Sequence, residues 1–367
     1  MSRLNHCLRG VRVLDLSSYL PGPFASQTLA DFGAEVLKVE PPQGDGMRLL
    51  GPRDGNGTAV FHAALNAGKS ICRLDLKSEA GRAQLRALMR DADVLIEGFR
   101  PEVMARFGFS WTDVADLAPH LIYCSLSGYG IGGPMEQAAG HDGNYLAMAG
   151  TLHRNGRPPR FFDPPIADMT SGLYAVIAIL GALQARQRDG KGCHIDLGIA
   201  DVAMPLQSFQ IAALAATGPP QPETTYLNGG AAYYHIYATS DDRHMMLGAV
   251  EPKFWRIFCE TSGNPRWIDR QAEPLPQSAL IADVAAYFAG LTAAACLSRF
   301  AGSDCCVSLI LDLAEAVETP HHLQRGIVLR GGPQVLFPAL VNGEAPAERT
   351  EFIERGEAAW ACATSPA

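Results

Sequence analysis

The chain has 367 residues, 47% of them hydrophobic, and a formal net charge of −8. That length and apolar content supply a large core and room for two domains, while the negative balance argues against generic nucleic-acid binding. Nine cysteines without CxxC or Cys/His metal spacing argue against a disulfide framework or a metal centre, so reduced thiols and no metal ligands are expected.

In chain order, MSRLNHCLRG carries no apolar signal core, so a cytoplasmic protein is expected. VRVLDL (11–16) reads as a strand and FASQTLADFG (24–33) as a helix. EVLKVE (35–40) and SICRLDL (70–76) read as strands, and the pattern from Glu79 to Arg90 as a helix. DVLIEG (93–98) and LIYCSLS (121–127) add two strands. The longest apolar run, near residues 172–183, is shorter than a membrane span and predicts a buried helix over about 169–188, with no membrane partner. Gly190-Lys191-Gly192 ends that helix before the strand CHIDL (193–197). The βαβ rhythm predicts the α/β class: a Rossmann-like open parallel sheet with right-handed crossovers. No GxGxxG follows the first strand; the turn is SSYLPGP, which disfavours a dinucleotide site. TGPPQPETTYLNGG (217–230) reads as a linker. Beyond it, YYHIYAT (233–239) and HMMLGAV (244–250) flank the turn SDDR. A helix in EPKFWRIFCETSG, helices near 279–289 and 293–300, and the strand CCVSLIL complete a smaller α+β domain.

Residues 1–110 carry 14 basic and 12 acidic side chains, and the remainder 16 and 26. The N-terminal third is therefore the better place for an anionic cofactor. Arg100 closes the segment VLIEGFRP at a strand's C-terminal end, the usual ligand side of an open α/β sheet. Lys38 and Lys69 are weaker candidates for the same anion, and solvated surface lysine is the default for both. The stretch AGHDGNYLAMAG (139–150) places a His-Asp pair at the start of a helix pattern. His141 is read either as a helix-start histidine held by a backbone carbonyl or as a general base. Asp142 reads as the N-cap of that helix, which leaves the Gly143 and Asn144 amides free as an oxyanion site. Asn144 and Tyr145 also suit plain packing. Asp168 reads as a cap of the long helix or as an acid, base or nucleophile. Glu251, before Pro252, has ordinary helix-start chemistry.

LRGVRVLDLSSYLPGPFASQTLADFGAEVLKVEPP, DLKSEAGR (75–82), DVLIEGFRPEVMARFG (93–108), LIYCSLSGYGIGGP (121–134) and GKGCHIDLGIADV (190–202) resemble the family III CoA-transferases and their sister α-methylacyl-CoA racemases. The resemblance runs from about residue 8 to about residue 330. It implies a large Rossmann-like domain over 1–216, completed by a segment from about 325 to 367, and a small α+β domain over 226–324. It also implies an interlocked homodimer. Gly140-His141-Asp142 is similar to the racemase motif around its catalytic histidine, where transferases have a Gly-Tyr-Asp type sequence. Asp168, in PPIADMTSG, matches the second catalytic position, and Glu251, in LGAVEPKFW, a glutamate that orients the histidine. Arg100 matches a position near the CoA phosphates, and Leu74, Asp75, Leu76 and Lys77 match a segment lining the adenine. Gly140, Asn144 and Tyr145 join the CoA-contacting set. Met169-Thr170-Ser171-Gly172 is closer to transferase sequences, and Pro41 replaces an arginine common after the second strand.

The resemblance implies an epimerase of 2-methylacyl-CoA or similar α-branched thioesters, acting by two-base proton transfer through an enolate. Coenzyme A is then part of the substrate, and no tightly bound cofactor is expected. The alternative is a CoA-transferase in which Asp168 forms an anhydride and then an enzyme thioester. A non-catalytic acyl-CoA binder would need no titratable pair.

Overall fold

Strands β1 (Arg12–Asp15), β2 (Glu35–Glu40), β3 (Ser70–Arg73), β4 (Val94–Glu97), β5 (Ile122–Ser127) and β6 (Cys193–Gly198) lie where the apolar runs predict them. With Ile353–Glu354 they form a seven-stranded, all-parallel sheet in the order Ile353–Glu354, β3, β2, β1, β4, β5, β6. The runs are nearly continuous because both faces are covered. Successive side chains point to opposite faces. Leu14, Leu37 and Leu95 join Leu85, Leu88, Met89 and Phe109 in one core. Val13, Val36, Val94 and Ile96 join Ala25, Leu29, Ala175, Ile179 and Leu183 in the other.

This computed structural model describes residues 3–329 and 334–360. The sheet belongs to one of two units: the chain up to Ala149, Phe162–Leu206 and the described residues from Thr319 onward. The other unit takes Gly150–Phe161 and Gln207–Glu318. It holds an antiparallel sheet of β7 (Tyr234–Ala238), β8 (His244–Gly248) and β9 (Val307–Leu309). The helices Pro252–Thr261, Ser278–Ala289 and Ala293–Phe300 close over Trp255, Phe258, Trp267 and Phe288.

Two expectations are corrected here. The stretch 217–230 lies within the second unit rather than forming a free linker. Arg157 bonds Gln221 at 3.2 Å, and the Gly230 carbonyl accepts from the Gln277 N–H at 2.9 Å, so its polar groups are tied down locally. The long helix runs from Ile166 to Asp189, 24 residues, longer than the apolar run alone suggests. By length and composition it is apolar enough to cross a bilayer, as is the segment Ile199–Thr217.

Candidate active site

The sheet reverses its winding between β1 and β4, since β2 and β3 extend one way and β5 and β6 the other. Open α/β sheets bind ligands at such a switch point, beyond the strand C-termini. A cavity of about 590 Å³ lies there, lined by the turn Ser17–Gly22, by Gly98–Pro101 after β4, and by Gly140, His141, Tyr145 and Asp168. A second cavity, of about 350 Å³, is lined by Pro41, Gln43, Leu74–Lys77 and Phe107. Ser18 and Phe99 border both. The predicted residues thus sort into two chambers with a shared wall: Arg100 with the titratable pair, and Leu74, Asp75, Leu76 and Lys77 in the other.

The Asp142–Met148 helix begins at His141, whose extended backbone makes it the N-cap residue. The expectation that Asp142 caps its own helix is therefore corrected. Its carboxylate turns to the neighbouring helix instead, where Oδ1 accepts from the Ala167 N–H at 2.7 Å and the Asp168 N–H at 3.1 Å. Those amides belong to the first turn of Ile166–Asp189 and lack partners within it. A charged acceptor there is favoured by both hydrogen bonding and the helix dipole. The Asn144 amide is also not free, because it donates to the His141 carbonyl at 2.8 Å. Its side-chain Oδ1 accepts from the His141 N–H at 3.1 Å. This leaves the Asp142 and Gly143 amides as the first-turn donors without such a bond.

By capping Asp168's helix, Asp142 places three titratable groups together. Burial, then the Asp142 carboxylate, pushes the Asp168 carboxyl up to about 6 from its ordinary 3.8, against the pull of His141. Asp168 is half-buried, while His141 is exposed at the cavity wall. Tyr145 is buried and donates its hydroxyl to the Gly140 carbonyl at 2.8 Å, so it braces the turn before His141. Gly140 must be small: a Cβ would meet the Tyr129 hydroxyl at 2.7 Å. Glu251 belongs to the second unit, exposed at the N-cap of Pro252–Thr261.

Lys38 and Lys69, expected at the surface, are fully buried, which corrects that reading. Lys38 pairs with Asp45 at 3.0 Å and Lys69 with Asp15 at 3.4 Å. Burial of a charge requires such a partner. The signal was present in Lys38's place in the middle of a strand covered on both faces. Glu136, Met47 and Tyr19 also line the larger cavity, and no local pattern marked them. Among the described residues no cluster suits a metal ion.

The sequence profile of CoA-transferase family III matches residues 8–346. The α-methylacyl-CoA racemase of Mus musculus is 36% identical over 90% of this chain and 84% of its own. The acetyl-CoA:oxalate CoA-transferase of Acetobacter aceti is 30% identical over 93% of this chain and 90% of its own. A crystal structure of a CaiB/BaiF family protein from Brucella suis superposes with a TM-score of 0.83 at 29% identity, covering 95% of this chain and 96% of that one.

Proposed function

We propose, because this chain belongs to CoA-transferase family III, that it is an acyl-CoA racemase acting as a homodimer on α-branched thioesters. The observation that carries the reading is the juxtaposition of His141 with a carboxyl raised to about 6 in one cavity. A general acid or base works best when it titrates near the working pH. An anhydride-forming nucleophile gains nothing from being protonated.

The two groups divide the chemistry. The neutral His141 imidazole takes the α-proton of one enantiomer. The electron pair forms a double bond to the thioester carbon, and charge passes to its oxygen. The Asp168 carboxylic acid then gives its proton to the opposite face of the α-carbon. The pair is left as imidazolium and carboxylate, the form that accepts the other enantiomer. General acid–base catalysis supplies about 10²–10⁴-fold, against typical enzymatic accelerations of at least roughly 10⁶-fold. The Asp142 and Gly143 amides, which follow the cavity-lining His141 directly, are the donors this reading assigns to the enolate oxygen and to the missing part. Arg100 is the residue for the CoA phosphates, and Leu74–Lys77 line the adenine chamber.

The acyl group is uncharged. Among the described residues, Arg100 is the only Lys or Arg lining the larger cavity, and Glu136 adds a negative charge to that wall. A dicarboxylate acceptor would lack a cation for its second carboxylate. The transferase reading draws on the Acetobacter aceti relative, whose name specifies oxalate. One experiment separates them: incubation with one enantiomer of a 2-methylacyl-CoA in D₂O without acceptor acid. Deuterium at the α-carbon with loss of optical purity is expected. CoA exchange into an added carboxylic acid without α-exchange would overturn the reading.

A further inference from the structure

β4 ends at Glu97, and the turn that follows, Gly98–Pro101, brings Arg100 to the wall of the larger cavity. In the register of the sheet Glu97 stands opposite Ser125 of β5, and Tyr123 opposite His194 of β6. Side chains two apart on a strand share a face, so all four project from the same side of the sheet. A third cavity, of about 130 Å³, opens there, lined by these four side chains with Trp111 and Arg100. Arg100 and Pro101 border both this cavity and the larger one. Glu97 is 6% exposed, and a carboxyl so deep in a core is costly unless its oxygens are hydrogen-bonded.

One oxygen has a definite task. Glu97 Oε2 accepts from the Phe99 N–H at 2.9 Å, which ties the turn down one residue before Arg100. Ser125 Oγ and His194 Nε2 are hydrogen-bonded at 2.9 Å. The His194 ring is held in turn, stacked on Trp111 with centroids 5.8 Å apart and edge-on to Tyr123 at 5.4 Å. Burial pushes the Glu97 carboxyl up, against the pull of the Ser125 hydroxyl and the Phe99 amide, and the Asp196 charge adds to the push. Burial pushes the His194 imidazole down, against Asp196. With both groups uncharged the donors run in one direction, from the Glu97 O–H to Ser125 and from the Ser125 O–H to His194 Nε2. Oε2 is then the carbonyl oxygen that accepts from Phe99.

We propose that Glu97 is a positioning residue for Arg100, acting as hydrogen-bond acceptor for the Phe99 amide, and that Ser125 and His194 hold its carboxyl in place. This rests on reading Arg100 as the contact for the CoA phosphates. Glu97→Met removes the acceptor at similar volume, whereas Glu97→Gln keeps a carbonyl for Phe99 and an N–H for Ser125. Titration calorimetry with coenzyme A on the full chain, beside urea unfolding, gives the readout. Glu97→Met is expected to bind coenzyme A about tenfold more weakly, the scale of one charged contact held out of place, and Glu97→Gln restores wild-type affinity. In steady state KM rises in Glu97→Met while kcat changes little. The two positions are coupled, so in an Arg100→Ala background Glu97→Met costs no further affinity, because the group it positions is gone. Where Glu97→Met fails to fold, Ser125→Ala carries the test, with a loss of affinity expected in the wild-type background and none in Arg100→Ala. A folded Glu97→Met or Ser125→Ala protein with undiminished affinity, the same loss in both backgrounds, or a weakened Glu97→Gln would overturn this proposal alone. An Arg100→Ala protein with wild-type affinity would overturn the reading of Arg100 and this proposal with it, and wild-type protein that fails to bind coenzyme A would overturn the functional reading as a whole.

Discussion

Asp168 sits in the first turn of its helix, where the dipole favours the ionised form, yet its carboxyl is pushed up to about 6. Burial and the Asp142 charge win, and the cost of ionising it falls on the folded state. The proton-bound form stabilises the fold fully below the unfolded value of about 3.8, and that stability is lost as pH rises through about 6. Asp168→Asn should therefore be more stable than wild type at pH 7, by roughly 1–2 kcal/mol once solvent screening is allowed for, with the difference vanishing towards pH 4. Urea unfolding at the two pH values checks this, and an unchanged midpoint at pH 7 would remove the raised carboxyl. Turnover should be abolished in the same variant. Asp142→Asn keeps an acceptor for the Ala167 and Asp168 amides but removes the neighbouring charge. It should move the acidic limb of the pH–rate profile to lower pH. The shape of that profile distinguishes the chemistries. Racemisation needs one proton shared between His141 and Asp168, so kcat/KM falls at both ends and identically for the two enantiomers. Attack by ionised Asp168 alone would rise through about 6 and stay level.

Two helices position the pair, and a glycine sets the approach of the one carrying Asp168 to the Pro21–Asp31 helix. Gly172, one turn beyond Asp168, faces the Pro21–Asp31 helix, and a Cβ there would meet the Pro21 carbonyl at 2.7 Å and Phe24 Cδ1 at 2.9 Å. The neighbours are a backbone carbonyl and a ring packed at the switch point, so little can give. Alanine has the better helix propensity by ~1 kcal/mol. Overpacking costs about 1–3 kcal/mol and dominates. Gly172→Ala is expected to lower the urea midpoint and to reduce kcat, because the displaced helix carries Asp168. A variant more stable than wild type would show that the contact relaxes freely. The Asp142–Met148 helix shows the same dependence at its other end, with Tyr145 braced against Gly140 and Tyr129.

Large apolar side chains remain exposed within each unit. Leu173, Tyr174 and Ile177 at 63% line one side of the Ile166–Asp189 helix, and Phe209 at 80%, Ile211 and Leu214 project from Ser208–Thr217. Contiguous apolar surface of this kind marks an interaction site. The proposed homodimer is expected to cover these helices. Sedimentation equilibrium should give twice the 39.3 kDa chain mass down to low micromolar concentration, and urea unfolding should depend on protein concentration. Ile177→Asp or Phe209→Asp should weaken assembly. A wild-type monomer at those concentrations would exclude the dimer.

At this same scale, the strands of the large sheet were legible because each is a short, β-rich run covered on both faces. β2 falls on residues 35–40 as the run does. The helix Glu79–Arg90 was legible because Ser78 caps it and its apolar residues recur on one side. His141, Asp168 and Arg100 were found through long ordered motifs, and the fold brings all three to one cavity. What only the tertiary structure decided are interactions between residues far apart in the chain. Asp142 looked like a local cap because sequence spacing weighs only its own helix, whereas the amides its carboxylate accepts from lie 25 and 26 residues further on. Lys38 looked solvated because its partner Asp45 becomes a partner only once β2 is buried. Tyr19's left-handed backbone has no sequence signature, since tyrosine itself disfavours it and the surrounding hydrogen bonds and packing impose it. The raised Asp168 carboxyl belongs to the same class: burial and neighbouring charge set it, and both exist only after the chain has folded.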